Sequence, residues 1–332
     1  MKERLLVSLS QLYWENDRLM KKAVVTGCAG FIGGHLTQKL IDDGWYVVGI
    51  DNMYSGLQST MDMHIKKGSF RPVYLDVSDA NHISRIESSF KELSPDIVFH
   101  LAAISGVTDS VNNPVFSNNS NITGTVNMLD LSRKYSVKRF VFSSSSSVYG
   151  GSNKLPTNES SELSPRSPYA LQKKVGEEYC SIFSELYGLE TVSLRYFNVF
   201  GPRQRADSAY AAAISSFCNN LKERVRPTIY GTGEQSRDFC YVDNIVYANI
   251  LAANLELKLY GDCFNIGCGG RVSINSVCEA LGTMRPIYKD ARLGDVMHSQ
   301  ADISKARSIL GYEPVISYKE GLLKTSSWFI NE

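Results

Sequence analysis

Short apolar runs alternate with amphipathic segments along most of the chain. Short apolar runs are typical of buried strands, and apolar positions spaced three and four apart are typical of helices. The predicted strands are residues 23–26, 46–51, 70–76, 96–103, 140–145 and 190–197. The predicted helices between them are residues 35–44, 81–93, 115–135 and 169–187. Because apolar strands separated by helices form parallel sheets covered on both faces, we expect an α/β fold with a doubly wound parallel sheet.

The regular alternation ends after the sequence GPRQR at residues 201–205. Two further helical patterns, at residues 207–222 and 274–282, are mixed with loops rich in Gly, Pro and Arg, so we expect a smaller α/β substrate-binding lobe. Residues 241–256 and 262–267 again have the patterns of a helix and a strand. The predicted boundaries are residues 21–197 for the first domain, about 240–268 for a return to it, and 198–332 for the smaller lobe.

The first twenty residues have a basic start followed by an interrupted apolar stretch. Leu5, Leu9 and Leu12 recur at helical spacing, and no small-residue cleavage site follows them. The pattern therefore favours a helical extension at residues 1–20 over a signal peptide.

The overall charge excludes several classes of partner. The chain of 332 residues has 35 Lys and Arg against 34 Asp and Glu, so no net field attracts nucleic acid or an anionic membrane. No apolar run approaches the ~20 residues of a membrane helix. Seven scattered cysteines without a CxxC pair favour reduced thiols in the cytoplasm. Five separated histidines argue against a His-rich metal site, so we expect no metal.

The sequence GCAGFIG at residues 27–33 connects the first predicted strand to the first predicted helix. In this context Gly27 permits a tight turn, Gly30 lets the backbone approach a pyrophosphate, and Gly33 lets the helix pack closely. The helix N-terminus favours phosphate groups. Asp51 ends the next strand, where its carboxylate can accept hydrogen bonds from an adenosine ribose and repel a 2′-phosphate. The pattern predicts a dinucleotide site that prefers NAD to NADP.

A run of five serines at residues 143–147 follows a predicted strand, where ligands gather in such sheets. Further along, Tyr169 and Lys173 are four residues apart, so a helix would place them on one face. A lysine ammonium and a positive nicotinamide ring both favour the phenolate form of tyrosine, and a serine hydroxyl can steady the substrate proton. We therefore expect Tyr169 to act as a catalytic base with a lowered pKa.

The motifs GCAGFIG, HLAA, SSSSSVYG, YALQK and RYFNVFGPRQ together resemble an extended short-chain dehydrogenase/reductase. Within that family the chain is similar to nucleotide-sugar 4-epimerases, in particular to the UDP-N-acetylglucosamine 4-epimerases and the related N-acetylhexosaminuronate epimerases. The resemblance implies a Rossmann fold, the cofactor NAD and the catalytic residues Ser145, Tyr169 and Lys173. It implies that Tyr169 takes the 4-OH proton while hydride leaves C4, and that the 4-keto sugar turns before both are returned.

The same resemblance implies a set of cofactor-binding residues. They are Gly27, Gly30, Phe31, Ile32, Gly33, Asp51, Asn52, Ser55, Gly56, Asp76, Val77, Leu101, Ala102, Ala103, Asn121, Ser143, Tyr169, Lys173, Tyr196 and Val199.

It also implies a set of residues that contact a UDP-sugar. They are Ser145, Ser146, Ser147, Tyr169, Asn198, Ala212, Tyr230, Arg237, Arg292, Asp295 and Ser299. Two arginines that converge on a pyrophosphate are a suitable clamp for it. Ser299 and Ala212 are small where a bulky residue would exclude an N-acetyl group, so the pocket admits an N-acetylated sugar without requiring one.

Similar dehydratases have Asp-Glu at the positions of Ser146 and Ser147, and similar decarboxylases have glutamate at the second, so the serines favour epimerisation. Asp109 stands where related N-acetylhexosaminuronate epimerases more often have arginine, which favours a neutral sugar. The alternatives are a UDP-N-acetylhexosaminuronate or UDP-glucuronate 4-epimerase, because SSSVYGG resembles the latter, and a non-catalytic NAD sensor. The resemblance further implies a homodimer formed through residues 115–135 and 169–187.

Overall fold

The protein is described by a computed structural model that covers residues 20–151, 154–206, 213–291 and 296–332. The predicted helical extension at residues 1–20 lies outside this range except for its last residue. Within the described ranges, no helix combines the length and the apolar character needed to cross a lipid bilayer.

Seven parallel strands form the central sheet. They are β1 (Lys22–Thr26), β2 (Tyr46–Ile50), β3 (Phe70–Val73), β4 (Ile97–His100), β5 (Arg139–Ser145), β6 (Glu190–Tyr196) and, later in the chain, β11 (Tyr260–Ile266). Their order across the sheet is β3-β2-β1-β4-β5-β6-β11. The order reverses between β1 and β4, where doubly wound sheets open a crevice for ligands. The predicted doubly wound parallel sheet is confirmed.

Helices cover both faces of this sheet. In chain order they are α1 (Phe31–Asp42), α2 (Gln58–Ile65), α3 (Ala80–Leu93), α4 (Val107–Asn112), α5 (Pro114–Asn118), α6 (Gly124–Lys134), α7 (Pro168–Tyr187) and, later, α9 (Val242–Asn254). Successive strand residues point to opposite faces, so Val25 packs with α1 and α9 while Val24 packs with α3, α6 and α7. The two faces thus have separate apolar cores.

The region predicted to form the smaller lobe has an apolar core of Phe200, Phe217, Val277 and other residues, which also includes Val242 of α9. Its helices are α8 (Ala213–Lys222), α10 (Ile274–Leu281) and α11 (Tyr318–Asn331). Its strands are β7 (Val199–Phe200), β8 (Thr228–Tyr230), β9 (Ser236–Arg237), β10 (Cys240–Tyr241), β12 (Val272–Ser273) and β13 (Ile287–Lys289). They pair as β7 with β10, β8 with β13 and β9 with β12.

The predicted helix at residues 115–135 is interrupted. A π-helical turn, Asn119–Thr123, joins α5 to α6. Three helices were missing from the sequence prediction: α2, which is largely polar, α4, which is shorter than two turns, and α11. In α11, Leu322, Thr325 and Phe329 are buried at helical spacing, so this helix did leave a sequence signal.

Candidate active site

A cavity of about 1200 Å³ opens at the carboxyl ends of the sheet strands. It runs from the turn after β1, past the ends of β4, β5 and β6, to loops of the smaller lobe. Both predicted halves of the site, for a dinucleotide and for a sugar nucleotide, line this single cavity.

The glycine turn after β1 forms one end of the cavity. Gly27 has a positive φ of 72°, and a Cβ atom there would lie 2.8 Å from the backbone nitrogen of Ala102. A Cβ atom on Gly33 would overlap the carbonyl oxygen of Gly27. Only glycine therefore allows α1 to begin so close to the turn, and the residues at its N-terminus, Gly30, Phe31 and Ile32, line the cavity. This backbone fits a dinucleotide pyrophosphate.

Asp51 follows β2 and is 8% exposed. Its Oδ2 accepts a hydrogen bond from the backbone N of Ala29 at 2.9 Å, and Oδ1 accepts one from the N of Met53 at 2.8 Å. Burial raises the pKa of this carboxyl, and the two hydrogen bonds oppose the rise. Because carboxylate oxygens accept more than one hydrogen bond each, Asp51 retains capacity for ribose hydroxyls.

The serine run and helix α7 bring the predicted catalytic side chains together. Ser145 ends β5, and its Oγ accepts a hydrogen bond from the N of Ser147 at 3.2 Å. Helix α7 begins after Ser167, whose Oγ accepts from the N of Ala170 at 3.1 Å. Within α7, the Nζ of Lys173 lies 5.9 Å from the ring centre of Tyr169 and donates to the carbonyl oxygen of Ser143 at 2.7 Å.

The electrostatics of this group differ from the sequence expectation. Burial raises the pKa of Tyr169, and the hydrogen bond with Ser145 opposes the rise. Burial also lowers the pKa of Lys173 to about 8. The expected lowering of the pKa of Tyr169 is therefore not produced by the protein side chains, because loss of water outweighs the stabilisation of the phenolate.

The substrate end of the cavity carries four further predicted residues, Asn198, Tyr230, Arg237 and Ser299. Arg237 is oriented by its Nη1, which donates to the carbonyl oxygens of Ser236 at 3.0 Å and Met297 at 3.2 Å. The predicted contacts Ala212, Arg292 and Asp295 lie outside the described residues.

Two of the predicted cofactor residues, Gly56 and Asn121, do not line the cavity, whereas the others do. The Asn121 side chain is buried. Its Oδ1 accepts from the backbone N of Ile104 at 2.7 Å, and its Nδ2 donates to the carbonyl oxygen of Ile104 at 3.0 Å. The same Nδ2 also donates to Oε1 of Gln172. A Cβ atom on Gly56 would lie 2.6 Å from the Cβ of Ala29, so this glycine packs behind the turn. Both residues support the wall of the cavity instead of forming it.

The sequence prediction also missed residues that line the cavity. They are Ser105, Thr108, Val111, Arg166, Gln204, Val296 and His298, among others. Most lie on loops without a local motif. Thr108 and Val111 lie in α4, which follows β4, and could have been found from the rule that ligands bind where the chain leaves the carboxyl ends of parallel strands.

The glycine turn, the acid after β2 and the Ser-Tyr-Lys group define a dinucleotide-dependent α/β enzyme site. A family model described as "NAD dependent epimerase/dehydratase family" matches residues 23–267. The chain belongs to this family, its expected cofactor NAD is confirmed, and the residues of the glycine turn and Asp51 fit that cofactor.

Three similar proteins illustrate the range of the family. The chain is 38% identical to a putative UDP-glucose 4-epimerase from Methanocaldococcus jannaschii, over 93% of this chain and 98% of the relative. It is 36% identical to a UDP-glucuronate 4-epimerase from Thermodesulfobacterium geofontis, over 92% and 95%. The solved structure of a UDP-N-acetylglucosamine 4-epimerase from Methanobrevibacter ruminantium M1 with UDP-N-acetylmuramic acid is 39% identical, with a TM-score of 0.87 over 94% of this chain and 99% of that one.

Proposed function

We propose that the protein interconverts the two C4 epimers of a UDP-hexose, with UDP-N-acetylglucosamine and UDP-N-acetylgalactosamine as its principal pair. The observation that carries the proposal is the position of Tyr169, Ser145 and Lys173 between the dinucleotide end and the sugar end of one cavity. Similar proteins are named as 4-epimerases of several UDP-sugars, which supports the reaction more strongly than the substrate.

In the proposed reaction Tyr169 removes the proton of the sugar 4-OH and later returns one to the 4-keto intermediate. Ser145, hydrogen-bonded to Tyr169, steadies this proton. The Lys173 ammonium, held by the carbonyl oxygen of Ser143, favours the phenolate of Tyr169. NAD, when bound, would supply the acceptor and later the donor of the C4 hydride.

Arg237 and Arg292 would clamp the diphosphate, and Asn198 would donate to it. Asp295 would accept from the uridine ribose, and Tyr230 would pack near the uracil. Holding only the nucleotide would leave the 4-keto sugar able to turn about its diphosphate and present its other face.

The choice of an N-acetylated sugar rests on Ser299 and Ala212. Ser299 lines the cavity, and its backbone N donates to the carbonyl oxygen of Ser236 at 3.0 Å. This hydrogen bond fixes the backbone from which the small Ser299 side chain extends. We expect Ser299→Tyr to lose turnover of UDP-N-acetylglucosamine and keep turnover of UDP-galactose. The assay compares four UDP-sugars, with Ser304→Ala as a control on the same segment. Unchanged turnover of the acetylated sugar in Ser299→Tyr would contradict the pocket assignment.

A UDP-hexuronate is the second candidate substrate, and two observations favour it. Asp109 stands where related N-acetylhexosaminuronate epimerases more often have arginine, but it does not line the cavity. Its carboxylate is directed towards Gly106. Arg166, in contrast, does line the cavity and supplies a cation that could pair with a C6 carboxylate. If UDP-glucuronate is epimerised faster than UDP-N-acetylglucosamine, and Arg166→Gln removes that preference, this candidate replaces the first.

Turnover of a UDP-sugar would exclude a non-catalytic sensor. Addition of a UDP-sugar to the purified protein should produce the absorbance of reduced nicotinamide, followed by the epimeric sugar. A sensor would bind NAD and give neither signal.

The proposed homodimer forms through α7 and the α5–α6 segment. Three apolar side chains of α7, Leu171, Ile182 and Leu186, are between 46% and 65% exposed, and Val115 of α5 is 74% exposed. Large apolar side chains grouped on adjoining helices are typical of an interface between copies. Sedimentation of the wild type and of Leu186→Glu tests this; a monomeric wild type would refute the dimer.

A further inference from the structure

A buried ion pair lies directly behind the serine run. Glu177 of α7 and Arg195 of β6 each have side chains only 5% exposed. The Nε of Arg195 donates to Oε1 of Glu177 at 2.8 Å, and its Nη2 donates to Oε2 at 2.7 Å. This bidentate ion pair uses one edge of the guanidinium and both carboxylate oxygens. The proposed reaction assigns no role to either residue.

The pair connects the strand end to the rest of the site. The Oγ of Ser144 donates to Oε1 of Glu177. On the other side, Nη1 of Arg195 donates to the hydroxyl of Tyr149 at 2.8 Å, and that hydroxyl donates to Oδ1 of Asn265 at 2.7 Å. One chain of hydrogen bonds therefore joins α7, β5, β6, the VYG turn and β11, and all its members are buried.

The position of Glu177 on α7 relates it to the catalytic group. It follows Lys173 by four residues and Tyr169 by eight, so the three side chains lie along one side of the helix. The serine strand end is held to this side twice. Lys173 holds the carbonyl oxygen of Ser143, and Glu177 holds the hydroxyl of Ser144, the residue just before Ser145.

The charge of Glu177 also acts on Lys173. Burial lowers the pKa of Lys173, whereas Cys180 and Glu177 raise it. Burial lowers the pKa of His100 to about 3 and raises the pKa of the nearby thiols and of the Tyr196 phenol, so these groups are uncharged at neutral pH. The groups that surround Lys173 and Glu177 in the described part of the chain are Tyr169, Cys180, His100, Arg195, Tyr196 and Cys263. Glu177 is the carboxylate in this set.

We infer that Glu177 is a positioning residue of the reaction: paired with Arg195, it fixes the serine strand end against α7 and keeps Lys173 protonated at the working pH. This inference rests on the proposed function, because it concerns the roles of Ser145, Tyr169 and Lys173 in that reaction. Glu177 itself contacts neither substrate nor cofactor in the proposal, and acts through Ser144 and Lys173.

The test is the pH dependence of kcat in Glu177→Gln. Glutamine keeps the size of the side chain and still accepts from Ser144, but it removes the negative charge. Without this charge the pKa of Lys173 falls further. The alkaline limb of the kcat profile should therefore move to lower pH by about one pH unit. Glu178→Gln is the matched control: this carboxylate is next in the helix, its side chain is 59% exposed, and its removal should leave the alkaline limb in place.

Glu177→Gln leaves Arg195 buried without its partner, and this could prevent folding. The double variant Glu177→Gln, Arg195→Met removes both charges and should show the same downward shift. Titration of Lys173 by NMR with isotope-labelled lysine, assigned through Lys173→Arg, measures the shift without turnover. A lower kcat with an unmoved alkaline limb and an unchanged pKa of Lys173 would overturn the inference. Failure of the proposed function would instead appear in the wild type, as no epimerisation of any UDP-sugar.

Discussion

The phenol of Tyr169 reaches the cavity wall from the first turn of α7, whose start is fixed by Ser167 and by Ser110, the Oγ of which accepts from the N of Tyr169 at 3.1 Å. Tyr169→Phe removes only the hydroxyl. We expect turnover to fall by about 10²–10⁴-fold, because the proton of the 4-OH loses its acceptor. Steady-state epimerisation measures this, with Tyr179→Phe on the same helix as the control. Turnover at the wild-type rate in Tyr169→Phe would refute the assignment.

With NAD bound, whose positive nicotinamide ring favours the phenolate of Tyr169, we expect the hydrogen bond between Ser145 and Tyr169 to set the pH at which activity begins on the acid side. Burial raises the pKa of Tyr169 and Ser145 opposes the rise, so the fraction of phenolate grows with pH and is larger with Ser145 present. In Ser145→Ala the pKa of Tyr169 should rise further, and the acid limb of kcat should move to higher pH. Ser181→Ala, an exposed position on α7, should not move it. An acid limb that stays in place in Ser145→Ala would show that this hydrogen bond does not tune the base.

At the scale of the elements, we expect binding of NAD to depend on the close contact between α1 and the glycine turn. A Cβ atom on Gly33 would overlap the carbonyl oxygen of Gly27. This oxygen belongs to the backbone, so no side-chain rotation can relieve the overlap. We expect Gly33→Ala to lose about 1–3 kcal/mol of unfolding free energy and to be purified with little NAD. Gly270→Ala is the control, since a Cβ atom there meets nothing within 4 Å. Equal stability and NAD content in both variants would contradict this account of the turn.

Local spacing explains which parts of the site were predictable. Gly27, Gly33 and Asp51 follow adjacent strands, and Tyr169 and Lys173 share a helix face, so short motifs with the strand and helix pattern were sufficient to place them. Asn121 lies in a π-helical turn and its side chain bonds Ile104 and Gln172, an arrangement that no spacing in the sequence reveals.

Long-range contacts explain what the sequence left out. Arg166 and His298 reach the cavity from loops far apart in the chain, and the Oγ of Ser236 lies 2.8 Å from Nδ1 of His298 across 62 positions. The buried pair of Glu177 and Arg195 depends on the packing of a helix against a sheet. Pairings of this kind are set by the tertiary fold, which apolar periodicity does not specify.

At the scale of the whole molecule, one cavity is lined both by the ends of the sheet strands and by Arg237, Tyr230 and Ser299, which lie in the predicted smaller lobe. A ligand that binds only the folded protein raises its stability, by about 2.7 kcal/mol at a hundred times the dissociation constant. UDP should therefore raise the thermal midpoint of the wild type. Since a hydrogen bond to a charged group contributes about 1.5–3 kcal/mol, Arg237→Ala should lose most of this shift at the same UDP concentration. Arg285→Ala, an exposed arginine of the same lobe, should keep it. Thermal unfolding with and without UDP makes the comparison, and a full shift in Arg237→Ala would remove this arginine from the diphosphate clamp.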